Sequence, residues 1–223
     1  KLCQEGRQLR PCTDGVLTIG LNMRLQQGGV EYAFDDEWRV AQMAPRCVHD
    51  AVLLPNGKLL VINGVGKGYA GLGDCQLAHD PHNEAWTYDP VANEATPTGQ
   101  TTRVPRLYHG HAALTARGDV LVSGTTNTKG WENSRELPLD ESPFASDYRV
   151  EIFTPSPIAA GAKRPAILRS PTTAYYGADG GFEIVSDGAL SAVVLMQPGG
   201  ATHGMALNQR AQQLPFVRVG VAR

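Results

Sequence analysis

A tyrosine and a histidine are neighbours in the stretch Arg106-Leu107-Tyr108-His109-Gly110-His111, and another histidine lies far downstream in Thr202-His203-Gly204. A phenolate oxygen and imidazole nitrogens form a donor set that suits Cu(II) in a tetragonal N,O site. Spacing alone makes Tyr108 and His109 a weak signal, because such pairs commonly serve as hydrogen-bonded packing. Successive residues of a regular strand point to opposite faces, so the two can share a cation only where the chain bends. Gly110 directly follows, and it is expected to give the backbone that freedom. His203 stands among Gly199, Gly200 and Gly204, in a loop that no helix or strand pattern directs.

The elements that must position these residues form a repeat. Pro45-Arg46-Cys47-Val48-His49 precedes an apolar strand, the turn Asn56-Gly57, a second apolar strand and Gly64. Pro105-Arg106-Leu107-Tyr108-His109 precedes the same series, with strands expected at 112–114 and 120–123, ending at Gly124. Asn-Gly between two such runs is a strong hairpin signal. The spacing of 60 residues makes His49 the expected counterpart of His109. Alternating, aromatic-rich segments recur between the hairpins, at 31–35, 85–90 and 150–155. A hairpin plus alternating strands at a fixed period is the pattern of a four-stranded propeller blade, which must stack on its neighbours to bury its faces. Rings close with roughly four to eight blades, so the two to three units expected here would make a partial ring.

The pattern changes after residue 160. Apolar strands are expected at 182–185, 192–196 and 216–219, separated by Gly and Asp turns without the blade spacing, as at the start of a β-sandwich. The expected class is therefore all-β, with propeller blades over 1–160 and a C-terminal sandwich over 161–223. The 25 Gly and 15 Pro, falling between short apolar runs, agree with a turn-rich all-β chain. With a net charge of −2, no basic surface argues for nucleic acid or an anionic membrane. No run approaches the ~18 apolar residues of a membrane span. The chain opens on Lys1-Leu2-Cys3, so a processed product or a C-terminal fragment is expected, whose propeller is completed by the remainder of its own chain or by a second chain.

These segments together carry a resemblance. Val104-Pro105-Arg106-Leu107-Tyr108-His109, Val150-Glu151-Ile152-Phe153-Thr154-Pro155, Arg164-Pro165 and Ala201-Thr202-His203-Gly204-Met205-Ala206-Leu207-Asn208-Gln209-Arg210 occur in that order. This series resembles the C-terminal part of the glyoxal oxidase and galactose oxidase family of copper radical oxidases. The unit at 43–64, followed by Lys67-Gly68-Tyr69-Ala70-Gly71, looks most like the glyoxal oxidase branch. The resemblance implies a kelch propeller with copper near its axis and a C-terminal immunoglobulin-like sandwich that sends a loop along that axis. Tyr108 is then the axial ligand and base, with His109 and His203 as further metal ligands. The implied reaction oxidises a small aldehyde or primary alcohol and reduces O2 to H2O2. Two electrons move at a one-electron metal, so a Cys-Tyr radical cofactor is also implied; no segment here matches it, and it is expected from an N-terminal part. A free tyrosine phenol titrates near pH 10, so a tyrosine base of this kind is a phenolate held by a cation.

Other residues have plainer readings. His49 is a candidate to line the pocket, although packing is the commoner role for such a residue. His111 lies outside the resemblance as a ligand, and His79 and His82 are expected in an exposed loop. Arg117-Gly118-Asp119 fills the place of the first hairpin's turn, so turn chemistry accounts for it. Cys3, Cys12, Cys47 and Cys75 are disulfide candidates with three connectivities open. Cys3–Cys12 suits a local loop, and Cys47–Cys75 is favoured over a thioether at Cys47. Oxidised cysteines fit a secreted, extracellular protein. A catalytically inactive extracellular propeller serving a wall, matrix or filament is the alternative function.

Overall fold

The computed structural model describes residues 16–27, 30–68, 78–125, 147–156, 161, 163–175, 181–197, 199–202 and 205–220. Every element among them is a strand, and every strand pair is antiparallel. A long hairpin comes first, β1 (Val16–Gln27) with β2 (Val30–Gln42), so the segment expected as a short strand at 31–35 is part of a longer one.

The first repeat unit forms β3 (Asp50–Leu53) and β4 (Leu59–Ile62), followed by the two-stranded excursion β5 (Val65–Gly68) and β6 (Ala78–Pro81). The chain then returns as β7 (Glu84–Asp89) and β8 (Glu94–Thr101). The sheet order β3-β4-β7-β8 is the four-stranded meander of a propeller blade. Among the described residues the second unit matches three of these strands, with β9 (His111–Leu114), β10 (Val120–Ser123) and β11 (Glu151–Phe153), ordered β11-β10-β9.

Both hairpins turn in the same way. Leu54 N–H donates to the Lys58 carbonyl at 2.8 Å, and Thr115 N–H to the Asp119 carbonyl at 2.8 Å. Gly57 and Gly118 each sit at φ 81°, the left-handed position that closes a three-residue hairpin loop. Arg117-Gly118-Asp119 is thus a turn.

Alternation explains the stacking. Val52, Leu54, Leu60, Ile62 and Ala85 of the first blade pack against Ala112, Val120, Val122 and Phe153 of the second. The opposite face of the first blade, with Val61 and Tyr88, packs against Ala41 and Met43 at the end of β2. Adjacent residues Leu60, Val61 and Ile62 therefore bury their side chains to both sides of one sheet. Each fully buried aliphatic side chain contributes about 1.5–3 kcal/mol.

Beyond residue 160 the pairs are β12 (Ile167–Arg169) with β13 (Val185–Ser186), β14 (Val193–Gln197) with β17 (Arg210–Leu214), and β15 (Gly200–Thr202) with β16 (Met205–Leu207). The strand expected at 216–219 does not form, and 210–214 pairs instead. Pro215 cannot donate to a ladder, and Val217 and Val219 beyond it are 84% and 91% exposed. Similarly, 182–184 is irregular, and the strand begins only at Val185.

Candidate functional site

The loop that leads from Arg106 into β9 is anchored by its arginine. The Arg106 side chain is fully buried, with Nη1 donating to the Gly124 carbonyl at 2.8 Å and Nη2 to the Arg149 carbonyl at 2.9 Å. Nε and Nη2 reach Glu151 Oε2 at 3.3 and 3.1 Å. The Arg106 carbonyl accepts Gly64 N–H of the preceding blade at 2.9 Å, and Leu107 N–H donates to Thr125 Oγ1 at 3.0 Å. Arg46 performs the matching task in the first unit, donating to the Asn63 and Glu84 carbonyls. Burial lowers its pKa to about 10.

These anchors reveal a one-residue offset. The arginines are 60 residues apart, but β3 and β9, the glycine turns, and the accepting carbonyls of Asn63 and Gly124 are all 61 apart. The second loop therefore holds one more residue than the first. Counted back from the strands, His109 corresponds to Val48, and His49 to Gly110. The backbone agrees: Val48 and His109 are left-handed at φ 48° and 56°. His49 is not the structural counterpart of His109.

The bend expected at Gly110 lies at His109 itself. Left-handed backbone is uncommon outside glycine, although histidine is among the residues enriched there. Its effect is to bring two sequence neighbours together. The Tyr108 and His109 rings meet edge to face, with centroids 4.7 Å apart and planes at 68°. Tyr108 is buried with Val65 and Leu107, beside Cys47 and Val48, while His109 is exposed. A Cβ at Gly124 would stand 3.2 Å from the His109 carbonyl, so a bare backbone there lets the loop close.

His203 lies outside the described residues, as do Cys3, Cys12 and Cys75. Cys47 takes part in a disulfide. The strands flanking positions 203–204 are described, and they approach the blades. His111 Nδ1–H donates to the Ala201 carbonyl at 3.0 Å, so this ring is committed to a backbone contact.

His49 is enclosed beside Arg46. Burial, then the Arg46 charge, lowers its pKa to about 4, which keeps the ring neutral. His82 is half-buried, its Nε2–H donating to the Pro45 carbonyl at 2.7 Å; burial first and then Arg46 lower its pKa. The loop expected around His79 and His82 is instead partly strand, since β6 pairs with β5. Among the described residues, no group of three His, Cys, Asp or Glu side chains is arranged to hold a metal ion.

Sequence reasoning missed the pair Asp50 and Asn63. Both are buried, and Asn63 Nδ2 donates to Asp50 Oδ2 at 2.8 Å. Burial raises Asp50 to about 6, partly offset by Asn63 and by the proximity of His111. Asn63 also backs the site loop, with Nδ2 3.5 Å from where a Cβ on Gly110 would lie. The available signal was Asn63 itself, a polar residue between Ile62 and Gly64 at the end of an apolar strand.

Comparison with known proteins agrees with this architecture. The family model for the glyoxal oxidase N-terminus matches residues 30–157. A WSC domain-containing protein of Arthroderma benhamiae is 34% identical over 178 residues, covering 78% of this chain and 18% of that protein. Aldehyde oxidase GLOX1 of Arabidopsis thaliana is 29% identical over 193 residues, covering 79% of this chain and 29% of its own length. A solved structure of a fungal alcohol oxidase of the AA5 family, in complex with copper, superposes with a TM-score of 0.60 at 25% identity, covering 82% of this chain and 36% of that one. The chain thus spans about a fifth to a third of the curated relatives it matches. With a family match over more than half its residues and blades of the expected order, the chain belongs to the glyoxal oxidase family.

Proposed function

We propose that the chain forms part of a secreted copper radical oxidase that converts a small aldehyde or primary alcohol to its oxidised product while reducing O2 to H2O2. The observation that carries this reading is the ring contact between Tyr108 and His109, made on a left-handed residue. The left-handed turn is shared with Val48 of the first unit; what sets the second loop apart is that it gathers a phenol and an exposed imidazole. The similarity to an aldehyde oxidase and to a copper-containing alcohol oxidase supports the same reaction class. No helix among the described residues is long and apolar enough to cross a membrane.

One phenol oxygen and two imidazole nitrogens fit the preferences of Cu(II). Tyr108, His109 and His203 would hold the ion, which supplies one-electron redox chemistry when bound. Tyr108 Oη is then the group that takes a proton from substrate. The Tyr108 side chain is buried, and the loop anchors at Arg106 limit its movement. His49 is proposed as part of the pocket wall, where its neutral ring adds no charge. The reading also calls for a Cys-Tyr radical cofactor from sequence outside these residues. We assign 1–160 to propeller blades and 161–223 to a C-terminal sandwich, and pair Cys3 with Cys12 and Cys47 with Cys75.

The test is peroxide release from the copper-loaded intact protein with a panel of small aldehydes and primary alcohols. Tyr108→Phe should retain the fold and lose about 10²–10⁴-fold in turnover, the usual contribution of a positioned base. A copper-loaded protein that makes no peroxide from any member of the panel would refute the oxidase reading and favour an inactive scaffold.

A further inference from the structure

The C-terminal hairpin formed by β15 and β16 is tied to both blades by side chains that the family match at 30–157 does not wholly contain. Gln209 lies just beyond β16. Its Oε1 accepts Leu53 N–H at 2.6 Å, and its Nε2 donates to the Ala51 carbonyl at 2.7 Å. Among the described residues β3 is an edge strand of its sheet, paired on one side with β4. An exposed strand edge presents alternating donors and acceptors that need partners. A primary amide carries one acceptor and a donor group side by side, so a single glutamine caps that edge as a short strand would.

The second tie is the His111 Nδ1–H bond to the Ala201 carbonyl at 3.0 Å. It joins β9 of the second blade to β15. Glycine makes the approach feasible: a Cβ on Gly199 would collide with Gln209 Cγ and stand 3.1 Å from the Leu207 carbonyl. Val52 and Ala112 of the two blades and Gly199, Ala201 and Gln209 line one small cleft at this seam.

Sequence distance makes these ties relevant to the site. His111 is two residues after His109, and Ala201 is two residues before His203. Two residues correspond to at most ~7 Å of extended chain. The His111 bond therefore couples the segment carrying Tyr108 and His109 to the segment carrying His203. We propose that Gln209 and His111 form a two-point clasp that sets the separation of the two ligand-bearing segments, and so act as positioning residues for the copper site. This rests on the reading of His203 as a ligand.

The clasp and the ligand reading are separable by experiment on the intact protein. In the metal-free form, Gln209→Ala should raise amide exchange at Leu53 by 10-fold or more, while Leu60 and Val61 amides in the same sheet keep their protection. In a Cu(II) titration, Gln209→Ala and His111→Phe should each weaken binding by roughly 10- to 100-fold, the usual effect of removing an outer support of a metal ligand. Both should also alter the Cu(II) electron paramagnetic resonance spectrum. His111→Asn, which keeps a donor near the Nδ1 position, should recover most of the affinity. His203→Ala serves as the ligand control. If the clasp variants bind copper as tightly as the parent while His203→Ala does not, the clasp is overturned and the ligand reading stands. If His203→Ala also binds like the parent, the ligand reading falls, and the clasp's role in the site falls with it. Unchanged exchange at Leu53 in Gln209→Ala overturns the clasp irrespective of copper.

Discussion

Replacing Asp50 by asparagine should change how the stability of this protein depends on pH. The carboxyl is 2% exposed, and burial raises its pKa from 3.8 to about 6. The folded state therefore holds the Asp50 proton more tightly than the unfolded state does. The stability linked to that proton is fully present below about pH 4 and is lost as pH rises through 6. A difference of about two pKa units corresponds to about 3 kcal/mol, as an upper figure. Asparagine resembles the protonated acid: its side-chain oxygen can accept the Asn63 Nδ2 bond, and it carries no charge. The gap between Asp50→Asn and the parent should shift in favour of the variant by up to ~3 kcal/mol between pH 4 and 7, with the change confined to that window. The fall of the His49 pKa to about 4 has the opposite sign, since its stabilising contribution is present above about 6.5 and lost as pH falls toward 4. It is common to both proteins and cancels in the difference. Urea unfolding followed by tryptophan fluorescence, at half-unit steps of pH, measures the gap. A gap that stays constant across the window would show that Asp50 titrates normally, and the buried-carboxyl argument would be wrong.

Arg106→Met removes the donor of two backbone carbonyl bonds and both Glu151 contacts. A cost of about 3–5 kcal/mol in urea unfolding is expected, toward the lower end because Glu151 is partly exposed; a loss below ~1 kcal/mol would contradict the anchoring role. His109→Gly relieves the left-handed backbone at φ 56° while deleting the imidazole. Thermal unfolding should show stability unchanged or raised by up to ~1 kcal/mol, alongside weaker copper binding in titration; a large stability loss would mean that the His109 ring is structural.

What the sequence determined by itself is local. Asn56-Gly57 and Arg117-Gly118 close hairpins because a left-handed glycine is needed there whatever surrounds it. Alternation through Leu59–Ile62 and Val120–Ser123 sets which side chains face each neighbouring layer. The pairing of Tyr108 with His109 was legible as adjacency. Only tertiary structure decided the rest. The extra residue in the second loop is hidden when the units are matched on their arginines, and it shows once the strands and accepting carbonyls are superposed. Whether the chain bends at His109 or Gly110 depends on Gly124 and Gly64 closing around the loop. Asp50 and Asn63 stand 13 positions apart, and their burial and mutual hydrogen bond arise only when β3 pairs with β4. The Gln209 contacts to β3 join residues more than 150 positions apart. Contacts of that range carry a loop-closure cost and no local pattern, so packing of the whole chain selects them.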